Sequence, residues 1–260
     1  MMAVNRRLNL GSKGEAWVVA NADALAREAA SLVNSTLHVA VTTYGKGTIA
    51  LSGGSTPKRM GQLFAAEPYL SQMTWPSLEI FWGDERMVPL SSDDSNAGVA
   101  MRTFLDQVPV APGRVHPWQT EETTPVESAA NYQALLGERL PIEHGYPRFD
   151  LVLLGMGDDG HTASLFPHTA GLAETERWAI ANDVPQLDTT RLTLTAPVIN
   201  NARMVVFLIA GSGKADRLAE VIDGHDDFDR LPSQRIRPHN GRLIWLVDEA
   251  AAARLAAIRG

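Results

Sequence analysis

The sequence predicts an α/β protein: a doubly wound, mostly parallel sheet flanked by helices, with a small additional region of mixed or antiparallel strands. Three observations predict it. Short, nearly uninterrupted apolar runs recur along the 260 residues, helix-like segments separate them, and the two alternate as strand, helix, strand. Runs that are apolar on both faces belong to strands covered by helices on both sides, which is the setting of a parallel sheet.

The first run is AWVVA at 16–20, followed by the helical pattern of Asp23 to Val33. TIALSGG at 48–54 leads into Pro57 to Ala66, where the proline suits a first helical turn. LEIFWGDE at 78–85 passes through a polar loop into a helix from Asn96 to Val108, and a further helix spans Val126 to Leu140. FDLVLLG at 149–155 is the next buried strand. RWAIAND at 177–183 and RLTLTAP at 191–197 read as two extra strands joined by the proline-containing VPQLDTT, and they supply the mixed region. MVVFLIAG at 204–211 opens into the helical pattern of Lys214 to Ile222, and RLIWLVD at 242–248 is the last strand. No repeat, low-complexity tract or linker interrupts the chain, so residues 1–260 are expected to form a single domain.

Thirty acidic residues against twenty-three basic ones give a formal charge of −7. That balance argues against a nucleic-acid or anionic-membrane partner, and any anionic substrate must meet a local cluster of Arg and Lys. There is no cysteine, which removes disulfides and thiolate-based zinc or redox chemistry. The first residues lack an apolar core of signal-peptide length, and no later stretch approaches the roughly 18 apolar residues of a membrane span. A cytoplasmic protein is expected.

In open parallel sheets, ligands sit beyond the carboxyl ends of the strands, so the loops that follow the strands hold the candidates. After TIAL comes Ser52-Gly53-Gly54-Ser55-Thr56-Pro57, whose glycines let backbone approach an anion at a helix N-terminus. Read alone it is equally a tight strand-to-helix turn. After LEIFWG come Asp84, Glu85 and Arg86, where the guanidinium can hold an anion in a bidentate fork. A surface ion-pair cluster is the plainer reading of that trio. The loop after FDLVLLG contains Asp158, Asp159 and His161. An imidazole, with an ordinary pKa of about 6.5, can take a proton from water while a carboxylate orients it, and that is the chemistry of a general base. Gly211-Ser212-Gly213-Lys214 places a lysine beside helix-terminal amides, although Lys214 by itself also reads as a first-turn surface lysine.

Other chemistries fail on the residues. Gly155-Met156-Gly157-Asp158-Asp159-Gly160 has the spacing of a dinucleotide fingerprint, but two carboxylates there repel a pyrophosphate and Pro167 arrives too soon for the long helix. The Lys214 loop is not a nucleotide P-loop, since Leu208 and Ala215 occupy the places of its first glycine and its hydroxyl. No G-x-S-x-G elbow frames a serine, and the remaining histidines have no zinc spacing; His168 alone stands close to His161 in sequence. The aromatic residues at 75, 81, 82, 207 and 245 read as core.

LSGGSTP, FWGDERMVP with its following DSNAG, LLGMGDDGHTASLFP, VPQLDTTRLTLT and GSGKAD together resemble, in order and across nearly the whole chain, the 6-phosphogluconolactonase family. The GHTASLFP tail is the most specific of these. The resemblance implies a fold shared with glucosamine-6-phosphate deaminases and a small-molecule substrate, 6-phospho-D-glucono-1,5-lactone, of the oxidative pentose phosphate pathway. It implies His161 as general base, Arg86 and Lys214 as contacts to the anionic substrate, and Gly53, Gly54, Ser55 and Thr56 as a phosphate-binding loop. Asp159 and Asp84 follow as orienting or electrostatic partners. Arg86 fits either the developing oxyanion or the phosphate. No metal or organic cofactor is expected, and a monomer or homodimer is. The alternatives are a deaminase of the same superfamily and a non-catalytic sugar-phosphate sensor. Against the deaminase, Thr162 to Pro167 stands where an acidic N-E-P segment follows the histidine of those enzymes, and Arg86 where they carry an aromatic residue. Against the sensor, no helix-turn-helix segment or basic tail is visible.

Overall fold

The computed structural model describes residues 4–259. Two strands, β1 (Val4–Asn9) and β2 (Glu15–Val19), form an antiparallel hairpin. Its turn needs Gly14, at φ 84°, because a Cβ there would lie 2.3 Å from the Leu243 carbonyl oxygen. Helix α1 (Ala22–Tyr44) starts where Asn21 accepts from the Ala24 amide and stops at left-handed Gly45. It runs well past the predicted end at Val33 because Leu37 and Ala40 continue the buried stripe of Leu25, Ala29 and Val33.

β3 (Gly47–Leu51), α2 (Ser55–Phe64), the single turn α3 (Tyr69–Gln72) and β4 (Leu78–Trp82) follow. Then come β5 (Asp84–Arg86) and α4 (Asn96–Thr103). The predicted helix to Val108 ends early: Phe104 leaves helical geometry and packs its ring 5.5 Å from Phe64 and 6.3 Å from Trp75. Helix α5 (Pro125–Arg139) begins in a capping box between Thr124 and Glu127. The short pair β6 (Ile142–Glu143) and β7 (Tyr146–Pro147) precedes β8 (Leu151–Leu154). The remaining elements are β9 (Ala179–Val184), β10 (Thr189–Leu194), α6 (Ala196–Asn200), β11 (Met204–Ile209), α7 (Ala215–Asp223), β12 (Arg242–Asp248), α8 (Glu249–Ala252) and α9 (Ala256–Arg259).

The main sheet has the order β1-β2-β12-β11-β8-β3-β4, and every pairing in it except β1 with β2 is parallel. Its inner strands are buried along their length, as their continuous apolar runs require, and Phe207 stacks on Trp245 across β11 and β12 at 4.1 Å. The expected mixed region is a second, antiparallel sheet of order β5-β10-β9. Several elements were not legible beforehand, among them the single turn α3, the pair β6 and β7, and the short helices α6, α8 and α9. The edge strand β1 is mostly polar, and Asp84 to Arg86 is a strand rather than a loop. Among the described residues no helix is long and apolar enough to cross a membrane.

One consequence of this order matters most. β11, β8 and β3 are neighbours in the sheet, so the loops carrying Lys214, His161 and Gly53-Gly54 leave the same edge side by side.

Candidate active site

The β3 loop turns into α2 through Gly53 and Gly54. A Cβ on Gly53 would lie 1.9 Å from Asn96 Oδ1, and Gly54 holds φ 104°, so neither position admits a side chain without displacement. No side chain caps the N-terminus of α2, which leaves its first amides turned toward the space beyond the sheet. The Ser52 hydroxyl oxygen beside them is buried without a partner.

Along β5 the side chains alternate between two duties. Glu85 is fully buried and accepts from the amides of Arg86, Asn96 and Ala97 and from the Ser95 hydroxyl. It therefore anchors the start of α4 rather than the site, and burial pushes its carboxyl above the ordinary range. Asp84 and Arg86 face the other way. Asp84 accepts from Ser164 Oγ at 2.8 Å, and burial raises its carboxyl despite that bond and the positive charge of Arg86. Arg86 Nη1 donates to the Asp94 carbonyl at 2.6 Å.

The β8 loop is folded on itself. The Gly157 amide donates to the His161 carbonyl at 2.9 Å, Thr162 Oγ1 to the Gly155 carbonyl at 2.9 Å, and the buried Ser233 hydroxyl to the Gly160 carbonyl at 2.8 Å. His161 Nδ1 lies 2.6 Å from Asp159 Oδ1, and its ring stacks on Phe166 at 4.1 Å. Burial pushes Asp159 upward, but bonds from the ring and amide of His161 outweigh it and hold the carboxyl below its ordinary value. Asp158, the next residue back, does something different: it forms an ion pair with Lys214 at 2.5 Å. His168 pairs with Asp229 in an exposed position and does not line this site.

These pieces enclose a cavity of about 270 Å³. His161, Asp84, Arg86, Lys214 and the loop Gly53-Gly54-Ser55-Thr56 all line it, and Asp159 supports it from behind the ring. Sequence reasoning had not assigned Asn96, whose amide nitrogen donates to the Asp84 carbonyl while its side chain fills the space left by Gly53. It had also missed Ser164, the hydrogen-bond donor to Asp84. A polar side chain at a helix start, as at Asn96, signals capping and nothing more, and Ser164 lies in a turn whose partner, 80 residues away, only the fold supplies. Among the described residues, no group of three or more His, Asp or Glu side chains is placed to hold a metal.

A parallel sheet whose carboxyl edge gathers cations around a carboxylate-paired imidazole is the plan of an α/β enzyme for small anionic molecules. Comparison with known proteins makes this specific: the chain belongs to the glucosamine-6-phosphate isomerase/6-phosphogluconolactonase family, whose model matches residues 20–245. It is 41% identical over 240 residues to a 6-phosphogluconolactonase of Synechocystis sp., a match covering 92% of this chain and 97% of that one. A 6-phosphogluconolactonase of Nostoc sp. is 39% identical over the same shares of both chains. The solved 6-phosphogluconolactonase of Trypanosoma brucei superposes with a TM-score of 0.82 at 29% identity, over 93% of this chain and 98% of that one.

Proposed function

We propose that the chain hydrolyses 6-phospho-D-glucono-1,5-lactone to 6-phospho-D-gluconate, with His161 activating the water. One observation carries the proposal. The imidazole, tied through Nδ1 to Asp159, opens onto the same cavity as Arg86, Lys214 and the uncapped N-terminus of α2.

The chemistry follows from that geometry. With Nδ1 engaged, Nε2 is the nitrogen left to take a proton from water as its oxygen attacks the lactone carbonyl. A carbon–oxygen bond forms, and the carbonyl becomes a tetrahedral oxyanion within the cationic field of the cavity. Collapse of that intermediate breaks the bond to the ring oxygen, which takes the proton back from the imidazolium. Asp159 stabilises the charged ring in between. A lactone is already an activated ester, so one base, positioning and local positive charge suffice. Arg86, Lys214 and the Gly53–Thr56 loop hold the anionic substrate, the loop offering helix-terminal amides to the phosphate. Asp84 serves as an electrostatic neighbour of Arg86 and His161. A charge of −7 supports a small-molecule partner rather than nucleic acid or an anionic membrane, and we place the activity in the cytoplasm.

The test is disappearance of freshly generated 6-phosphogluconolactone, in chelator and with the spontaneous rate subtracted, alongside ammonia release from glucosamine 6-phosphate. Lactone turnover without ammonia is expected. Ammonia release, or turnover of neither compound, overturns the proposal.

A further inference from the structure

A second cavity, of about 660 Å³, shares no lining residue with the one that holds His161. Tyr146, Asn201 and Asn240 line it, and each stands a few residues ahead of β8, β11 or β12. The cavity therefore lies toward the amino ends of those strands, away from the edge that carries the candidate active site.

Its walls are braced by two neighbouring amide side chains. Asn200, the last residue of α6, holds the backbone of two arginines at once: Nδ2 donates to the Arg235 carbonyl at 2.8 Å, and Oδ1 accepts from the Arg237 amide at 2.6 Å. Asn201 donates from Nδ2 to the carbonyls of Tyr146 at 2.9 Å and Glu143 at 3.0 Å, which pins the β6–β7 turn that carries His144. Asn240 Nδ2 lies 3.4 Å from His144 Nε2 and joins the two walls. Leu172, Ala196 and Pro197 supply an apolar lining.

The charges in this cavity are unbalanced. The guanidinia of Arg235 and Arg237 both lie over the ring of Phe228, at 5.8 and 5.0 Å. Arg237 is paired with Asp226. Arg235 spends only Nε, on the Phe228 carbonyl at 2.9 Å, and among the described residues its two terminal nitrogens bond to no acceptor. Glu174, the carboxylate that borders the cavity, is already engaged by the amides of Glu176 and Arg177 and by the Arg177 guanidinium. A chain of net charge −7 thus keeps a fixed cationic cluster here, with the exposed imidazoles of His144 and His239 beside it. A guanidinium fork with free donors matches phosphate bidentately, and a second guanidinium suits the second charge of a phosphate monoester. The apolar lining suits a carbon skeleton attached to that phosphate.

We propose that this cavity is a second ligand site, for a small phosphorylated metabolite, with the phosphate on Arg235 and Arg237 and the carbon skeleton against Leu172, Ala196 and Pro197. The assignment stands apart from the lactonase reading, since it concerns binding at a place where none of the candidate catalytic residues lies.

The test is calorimetric titration of glycerol 3-phosphate into wild type, into Lys214→Ala, and into Lys214→Ala combined with Arg235→Ala or Arg235→Lys, with succinate as the carboxylate control. The Lys214 substitution weakens the phosphate's hold in the His161 cavity, so the binding that survives it reports the second site. Arg235→Ala is expected to weaken that surviving binding by about ten- to hundredfold, the worth of a hydrogen bond to a charged group. Arg235→Lys should fall between, because an ammonium keeps the charge without the fork. Should Arg235→Ala fail to fold, the Lys variant decides. No binding left in Lys214→Ala, surviving binding indifferent to Arg235, or succinate held as tightly as glycerol 3-phosphate would each overturn the proposal.

Discussion

Asp159 Oδ1 accepts from two points on His161, the ring nitrogen Nδ1 at 2.6 Å and the backbone amide at 3.0 Å. A single carboxylate oxygen thereby fixes both the chain and the ring of the histidine two residues on. The imidazole cannot swing away without breaking its own support, and Phe166 stacked on its face closes the other route.

His161→Ala should lower kcat by about a hundredfold or more, the usual worth of a positioned base, with the thermal midpoint little changed. Asp159→Asn should lower kcat with little change in KM, since it touches the base and not the substrate. Steady-state kinetics on both variants checks this, and near-normal turnover by folded His161→Ala removes the assignment.

Gly157 carries a prediction of its own. A Cβ there would lie 2.1 Å from His161 Nδ1 and 2.7 Å from Asp159 Oδ1. Gly157→Ala must therefore push the ring from its seat, and a displacement of about 1 Å is expected to cost about a hundredfold in turnover. A crystal structure of the variant showing an unmoved ring with lost activity would contradict this account.

Lys214→Ala should weaken 6-phosphogluconolactone by about 1.5–3 kcal/mol in kcat/KM, the range for a hydrogen bond to a charged group, and affect an unphosphorylated lactone less. Equal losses on both would remove Lys214 from the phosphate site. Because Asp158 holds the lysine when no substrate is bound, Asp158→Asn should lower KM for the phosphorylated substrate by a few-fold. An unchanged KM would mean the ion pair does not compete.

Asp84 gives a pH signature. Its folded-state pKa is raised, chiefly by burial, above the value of about 3.9 for an unfolded aspartate. Its contribution to stability is thus fully present below that unfolded value and is lost as pH rises through the raised one. Asp84→Asn removes this loss, so its thermal midpoint relative to wild type should climb as pH rises above about 4. Parallel midpoint curves across that range would show that Asp84 is not held in this way.

Glu85→Ala should destabilise the fold by about 3 kcal/mol, because the amides of Arg86, Asn96 and Ala97 lose their acceptor in a buried place. Chemical denaturation measures it, and a cost below about 1 kcal/mol would show that water replaces the carboxylate.

The parallel sheet was legible because its strands are apolar on both faces, and the antiparallel addition because Pro185 punctuates two alternating runs. The candidate loops were legible for one reason: in such sheets the place after a strand is already the place of binding. Less could be read where polar residues have two possible partners. Asp84, Glu85 and Arg86 form one short string in sequence, and only the strand pairing with Arg191 to Thr193 separates the site pair from the buried cap between them. Asp158 and Asp159 are likewise adjacent, yet one meets Lys214 and the other His161. The alternation that divides them is set by backbone turns at Gly157 and Gly160, which composition does not encode.

The order β1-β2-β12-β11 sets the last strand of the chain between the first hairpin and the rest of the main sheet. During synthesis the hairpin emerges well before its parallel neighbour, Arg242–Asp248. A nascent chain that stops short of β12 leaves β2 with one edge open and deprives β11 of its partner on that side. Assembly of the sheet that carries the cavity therefore waits for Arg242–Asp248, and truncations that remove β12 should yield aggregation-prone chains rather than smaller working ones.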